Sequence, residues 1–448
     1  MYIDFMLDVF RKNESRSAII WRGQEVKYAD LLSLYDKQKS ILEKSDVAGK
    51  IVSLEADFSP VSAATLLVLI ELGCILVPLT KSVENKKPRF REIAEIEAIV
   101  TIDEQDNCSV QQTNVKAKNE LLVGLKAKKH PGLILFSSGS TGDSKAALHD
   151  IVPMLQKFKV PRYSMRALTF LLFDHIGGFN TLMYNLSNAG CAVMTEERSP
   201  ESICENIEKY KVETLPTSPT FINLLLLSEA YKKYDLSSLK LVTYGTEAMP
   251  ESTLERFHAV YPDIRMLQTY GLSEIGIMRS KSKASDSLWV KIGGEDFQTR
   301  VVDGLLEIKA KSAMLGYLNA PSPFTEDGWF KTGDEVLVDG EYMKILGRKS
   351  EMINVGGLKV FPAEVESVLL TMDGVEDVAV NGEKSELTGN IVKARVKLNT
   401  DETVADFRKR MRKFCKGKLE NFKVPQKVVL VDEMMTGVRF KKMRKEIR

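Results

Sequence analysis

Cysteine is sparse in this chain and histidine sparser, with five and four among 448 residues. Cys74, Cys108, Cys191, Cys204 and Cys415 are scattered, odd in number and without the close spacing of metal ligands. That excludes a disulfide framework and fits reduced, structural thiols in a cytoplasm. Long apolar runs are also lacking. The longest, residues 63–79, is broken by Glu71 and reads as a buried helix that passes through Gly73 into a strand, so no membrane span is expected. The first eight residues are interrupted by Asp4 and Asp8 and have no basic leader, unlike a signal peptide. Internal repeats and long low-complexity segments are absent.

Neither sign of charge dominates: 63 Lys and Arg face 61 Asp and Glu, a net of +2. The balance hides an asymmetry, because residues 401–448 hold 15 basic residues against 7 acidic ones. Such a segment suits an anionic partner or a phosphate-rich small ligand. Without interleaved aromatics or a recognition-helix pattern, nucleic acid is not the expected partner. A solvated helix face around Phe407, Arg408, Lys409 and Arg410 explains much of the excess.

At this length one compact core is not enough, and two or three domains are expected. From about residue 18 to 346, short β-branched runs alternate with helical stretches, the texture of a layered α/β domain. Strands are expected at 51–54, 99–102, 133–136, 167–173, 191–194, 214–215 and 239–244, and helices at 62–72, 151–158, 179–188, 202–210 and 219–230. After Trp289 the pattern changes to short strands joined at Asp303-Gly304 and Asp339-Gly340, the signature of hairpins in a small β subdomain. Residues 347–350 read as a hinge. Beyond it, Val365, Val368, Leu369 and Met372 make one helical stripe, and Val392, Ala394, Val396 and Leu398 alternate with basic residues. The expected fold is therefore α/β: a large N-terminal domain (1–346) of layered α/β subdomains plus a small β subdomain, then a small α+β C-terminal domain (351–448).

Chemistry concentrates first at Leu133-Ile134-Leu135-Phe136-Ser137-Ser138-Gly139-Ser140-Thr141-Gly142-Asp143-Ser144-Lys145, an apolar strand entering a loop of hydroxyls and glycines that ends in lysine. Glycines bring backbone N–H groups close to an oxyanion, hydroxyls add donors and the lysine adds a point charge, so the loop suits a polyphosphate. It is not a Walker loop, which would need glycine at 144 and a hydroxyl after Lys145. A plain surface turn is the alternative for this segment alone.

The segment resembles the phosphate loop of the acyl-adenylate-forming superfamily, which includes acyl-CoA synthetases, peptide-synthetase adenylation domains and luciferases. It departs from that pattern at Ser137, Ser144 and Ala146. Further matches follow in the superfamily's order. The resemblance implies that Asp174-His175-Ile176-Gly177-Gly178 sets His175 beside the acyl carboxylate, and that Gly245-Thr246-Glu247-Ala248-Met249-Pro250 lines adenine. In Gln268-Thr269-Tyr270-Gly271-Leu272-Ser273-Glu274, it implies that Thr269, Tyr270, Gly271 and Ser273 serve the nucleotide and Glu274 a magnesium ion.

Gly328-Trp329-Phe330-Lys331-Thr332-Gly333-Asp334 matches the element whose aspartate accepts from both ribose hydroxyls, and Gly304-Leu305-Leu306-Glu307-Ile308 and Met314-Leu315-Gly316-Tyr317 match two others. Arg348 would meet ribose or phosphate, Gly356 and Gly357 would let a pantetheine arm approach, and Ser350 replaces the usual hinge acid or lysine. The catalytic lysine has two registers. One overlays Thr-Gly-Lys-Ile-x-Arg-x-x-Leu-Arg on Lys441 to Arg448, with Asp432-Glu433-Met434 upstream and Phe440 in place of glycine; the other starts at Thr436-Gly437 and sets Val438 at the catalytic position.

The resemblance implies ATP, Mg²⁺ and coenzyme A as cofactors, a small carboxylic acid as substrate, and a monomer or homodimer. Lys441 would bridge the acid and the α-phosphate, with Lys145 and residues 137–142 on the outer phosphates. Phe179, Tyr184, Phe221 and the segment from Gly271 to Gly276 are candidates for the acyl pocket. The phosphopantetheine of a separate carrier protein is an alternative acceptor, and a catalytically degenerate nucleotide-binding homologue is the alternative to an enzyme.

Overall fold

The computed structural model describes residues 1–138, 144–294, 296–437 and 440–444. Two seven-stranded sheets dominate the N-terminal part. One runs in the order Gly316–Tyr317, Ser144–Asp150, Gly132–Ser138, Ile75–Leu79, Ile51–Glu55, Ala98–Ile102, Cys108–Gln112. The other runs Arg265–Gln268, Leu241–Tyr244, Thr214–Thr217, Arg166–Leu168, Cys191–Val193, Ser17–Trp21, Gln24–Lys27, and is parallel except at its last pair. Parallel neighbours need crossover helices, which is why strand and helix signals alternate along the sequence.

The helices Pro60–Glu71 and Ile176–Ser187 share one apolar core with residues of both sheets, including Leu54, Leu76, Leu133, Ala192 and Met194. Pro60–Glu71 is apolar on every side because it is buried on every side, from Pro60 to Ile70. Ser59 starts it, its hydroxyl accepting from the Ser62 N–H at 3.0 Å. The left-handed backbone at Gly73 (φ +69°) then turns the chain into the strand Ile75–Leu79.

A six-stranded antiparallel sheet, including Leu305–Ala310, Phe330–Asp339 and Tyr342–Arg348, forms the small β subdomain. In the C-terminal domain the middle strand Gly389–Leu398 pairs antiparallel with Val375–Ser385 and parallel with Lys427–Leu430, and Pro362–Leu369 and Val404–Cys415 cover one face. The two domains meet through Ser252 and Ser367, where the Ser252 N–H donates to the Ser367 hydroxyl at 3.0 Å, and through a 2.6 Å ion pair between Lys359 and Glu335. Among the described residues, no helix is long and apolar enough to cross a membrane.

The largest departure from the sequence reading is at one strand. The strand expected over 167–173 ends at Leu168. The Thr169 N–H still reaches the Val193 carbonyl at 2.9 Å, but the chain then folds into a turn in which the His175 N–H donates to the Leu172 carbonyl at 3.1 Å. The apolar residues after Thr169 cover a helix start instead of extending a sheet.

Candidate active site

That turn builds one wall of a pocket lined by Leu171, Leu172, His175, Arg198, Thr246 and Lys441. His175 is the cap residue of helix Ile176–Ser187, and the two glycines after it let the helix sit under the turn. A Cβ on Gly178 would stand 2.0 Å from the Leu172 carbonyl oxygen, so only glycine permits this approach. Asp174, buried beneath, accepts from the Thr80 hydroxyl at 2.9 Å and ties the turn to the neighbouring sheet.

The opposite wall comes from residues 245–247. A Cβ on Gly245 would lie 2.6 Å from the Thr269 carbonyl oxygen, and Thr246 holds a left-handed backbone, φ +74°, that glycine adopts more readily. Glu247 is not among the residues that line the pocket. Its carboxylate accepts from the Thr220 N–H at 3.0 Å and from the Lys442 N–H at 3.0 Å, joining the N-terminal domain to the chain end.

Lys441 therefore reaches the pocket from the C-terminal domain, on a short hairpin in which Thr436 pairs with Lys442. Its neighbours are fixed to that domain. Lys442 pairs with buried Asp377, and Arg444 makes a two-pronged pair with Glu366 at 2.9 and 2.8 Å. Glu366 is buried, which alone would push its carboxyl up, yet the Arg444 charge and hydrogen bonds hold it below the ordinary value. Val438, the residue of the other register, lies outside the described residues.

A second cluster sits around Asp334. The Tyr270 hydroxyl donates to one carboxylate oxygen, and Arg348 approaches the other at 3.4 Å. Burial raises the Asp334 carboxyl despite both partners, and burial together with the Asp334 charge pushes the Tyr270 phenol well above its usual value. Glu274 accepts from the Tyr317 hydroxyl at 2.6 Å, and the Lys145 ammonium lies 5.2 Å from the centre of the Tyr317 ring. Lys145, Tyr317 and Glu274 thus share one neighbourhood, at the end of the expected phosphate loop.

Ser137 pairs with Lys145, and Ser138 with Ser144, across the two strands that flank that loop. Gly139, Ser140, Thr141 and Gly142 lie outside the described residues. Thr269 donates its hydroxyl to the Tyr244 carbonyl at 3.1 Å, Gly271 pairs with Ile277, and the Ser273 carbonyl meets Nε2 of His149 at 2.6 Å. Gly356 and Gly357 form an exposed turn of the C-terminal domain, bonded to the Thr388 carbonyl and the Asn354 side chain instead of to the pocket. Phe179 and Phe221 are fully buried in two separate cores, and neither they nor Tyr184 line the pocket.

Supporting residues were missed in the sequence because their partners are remote. His149 is fully buried under the Ser273-Glu274 loop, and burial holds its imidazole below the ordinary value. Asn319 grips the strand after the phosphate loop from both sides, accepting from the Ala146 N–H and donating to the Ser144 carbonyl, each at 2.9 Å. A lone histidine or asparagine has no pattern to betray such work.

Comparison with known proteins establishes the family and the fold. The family profile described as AMP-binding enzyme matches residues 8–303, and that of the AMP-binding enzyme C-terminal domain matches residues 364–439. The chain belongs to the AMP-binding enzyme family. Among relatives of this AMP-binding enzyme, an indoleacetate–CoA ligase of Aromatoleum aromaticum is 26% identical over 97% of this chain and 94% of its own. A long-chain-fatty-acid–CoA ligase of Haemophilus influenzae is 27% identical over 61% of this chain and 50% of its own, so the chain spans about half of that relative. The fold is shared with the anthranilate CoA ligase AuaEII in complex with anthranoyl-AMP, at TM-score 0.81 and 19% identity over 98% of this chain and 95% of that one. It is shared equally with ATP-bound MatB from Rhodopseudomonas palustris, at TM-score 0.79 and 22% identity over 98% and 97%.

Proposed function

We propose that this AMP-binding enzyme is an ATP-dependent acid–thiol ligase that activates a carboxylic acid as its acyl-AMP and passes the acyl group to coenzyme A. The observation that carries this reading is the convergence of Lys441, His175 and Thr246, from two domains, on one pocket.

In the first half-reaction a carboxylate oxygen attacks the α-phosphorus of ATP, and the bond from that phosphorus to pyrophosphate breaks. Negative charge grows where acid and phosphate meet, so a fixed cation lowers the barrier more than a base would. Lys441 supplies that cation, His175 orients the acid, and Lys145 with residues 137–142 holds the outer phosphates. Asp334 accepts from the ribose hydroxyls while Tyr270 and Arg348 keep it in place. In the second half-reaction the thiol sulfur attacks the acyl carbonyl and loses its proton, and AMP departs. Rotation about residues 347–350 withdraws Lys441 and brings the Gly356-Gly357 turn to the site.

Magnesium fits as an ion shared with the nucleotide. Among the described residues no group of three potential ligands exists, and Glu274 offers one carboxylate whose Oε1 is engaged by Tyr317. Magnesium commonly takes one or two carboxylates plus phosphate oxygens, and when bound it would neutralise phosphate charge.

The exposed basic residues Lys409, Arg412, Lys413 and Lys416 on and after helix Val404–Cys415 favour a second reading, in which the thiol is the phosphopantetheine of an acidic carrier protein. One experiment tests both. Pyrophosphate release is screened over indole-3-acetate, anthranilate, malonate, benzoate and C6 to C16 fatty acids, and thioester formation is then compared with coenzyme A and with a holo-carrier protein. Acid-dependent release followed by acyl-CoA is expected. ATP binding without acid-dependent release would leave a degenerate nucleotide-binding protein.

A further inference from the structure

Phe440 stands immediately before Lys441, where the motif it resembles has glycine, and it keeps the backbone that glycine would adopt, with φ +49°. A side chain in that region is disfavoured and persists only where its surroundings hold it. Here they do. The ring lies 5.0 Å from the Phe170 ring and 5.4 Å from that of Phe221, edge-on to the latter, and the Arg198 guanidinium lies 5.3 Å from its centre. All three partners belong to the N-terminal domain, whereas Lys442 and Arg444 are paired within the C-terminal one.

The backbone is held with equal care. The Ser218 hydroxyl donates to the Phe440 carbonyl at 2.6 Å while accepting from the Phe221 N–H at 3.2 Å, so the atom that caps helix Pro219–Ser228 also grips the chain end. On the far side of Lys441, the Lys442 N–H donates to Glu247 at 3.0 Å. The residue before and the residue after Lys441 are therefore both tied to the N-terminal domain. Lys441 itself lines the pocket between these ties.

We propose that Phe440 is a positioning residue for adenylation: its ring, seated among Phe170, Phe221 and Arg198, fixes Lys441 in the pocket and must leave that seat before thiol transfer. The proposal rests on the ligase reading above. It explains how the chain keeps a large aromatic residue at a position whose backbone calls for glycine. The strain is local and the seat compensates it only while the domains are closed in this arrangement, so Phe440 biases the enzyme toward its first half-reaction.

The test compares Phe440→Gly, Phe440→Ala and Phe440→Tyr. Glycine keeps the backbone and deletes the ring, and tyrosine keeps the ring. ATP–pyrophosphate exchange is measured with whichever acid of the panel the unaltered enzyme turns over best, and thiolysis of the matching acyl-AMP by coenzyme A is measured separately. Exchange is expected to fall at least tenfold in the glycine and alanine variants, in kcat more than in KM for ATP, with tyrosine restoring most of it and thiolysis not slowed. A fall of less than threefold in the glycine variant, or equal losses in both half-reactions, overturns the proposal. Hydrogen exchange at the Phe221 and Lys442 amides needs no acid substrate. It is expected to quicken in Phe440→Gly, and unchanged protection overturns the anchor whether or not the unaltered enzyme adenylates any acid; absent turnover with quickened exchange would refute the ligase reading and keep the anchor.

Discussion

The Tyr270 phenol donates to the Asp334 carboxylate across 64 residues of sequence, and the two side chains are buried together. Burial raises the Asp334 carboxyl while the Arg348 charge and the tyrosine bond work against that rise, so the bond favours the ionised form in a poorly solvated site. Tyr270→Phe should raise the Asp334 carboxyl further. Its protonated form then persists to higher pH, and the acid limb of kcat/KM for ATP moves upward, with a loss on the order of tenfold near neutrality. A pH profile with an unmoved acid limb would contradict the role of this pair.

Lys441→Ala should separate the two half-reactions. Removing a cation aimed at developing charge costs about 10²- to 10³-fold. Acid-dependent pyrophosphate exchange falls by that amount, while thioester formation from supplied acyl-AMP continues near its original rate. Equal loss of both would show that Lys441 serves the fold or the thiol step instead.

Gly178→Ala should disturb both stability and adenylation. The added Cβ would meet the Leu172 carbonyl oxygen at 2.0 Å, backbone against backbone, and the turn carrying His175 must move. A loss of about 1–3 kcal/mol is expected in denaturant unfolding. Gly124→Ala is the control. It sits in helix Glu120–Ala127 with nothing within 4 Å of the new Cβ, and should stabilise by about 0.5–1 kcal/mol.

Lys157 gives a prediction in pH. Its ammonium donates to the Asn180 side chain at 2.6 Å and to the Ile277 carbonyl at 3.3 Å, and burial pushes it down to about 8. In the unfolded chain it keeps the ordinary value of 10.5, so between these values the unfolded state holds more protons and stability rises with pH. The slope contributed by this one group is at most about 1.4 kcal/mol per pH unit. Lys157→Met should flatten that rise in urea titrations between pH 8 and 10; an identical slope in both proteins would rule out Lys157 as its source.

Much of this arrangement is legible in the sequence, for local reasons. The helix Pro60–Glu71, the strand Gly132–Ser138 and the hairpins of the small β subdomain follow from apolar runs, caps and Asp-Gly turns within a few residues. The over-long strand at 167–173 is the instructive miss. A short continuous apolar run satisfies a buried strand and a covered helix start equally well, and the decision belongs to Gly178, whose missing side chain admits the turn. The site is less legible. Lys441 meets residues more than 190 positions away, Asp174 depends on Thr80, and Glu247 joins Thr220 to Lys442. No periodicity encodes such pairings.

The Arg444–Glu366 and Lys442–Asp377 pairs make the hairpin bearing Lys441 a rigid passenger of the C-terminal domain. In the proposed ligase cycle the lysine would move with that domain once the Ser218 and Glu247 bonds to its neighbours break, so domain angle and electrostatic field would change together. In that proposed cycle, a swing of the domain would remove the positive charge with the same movement that admits the thiol, sparing the freshly made adenylate a cation that favours its return to ATP.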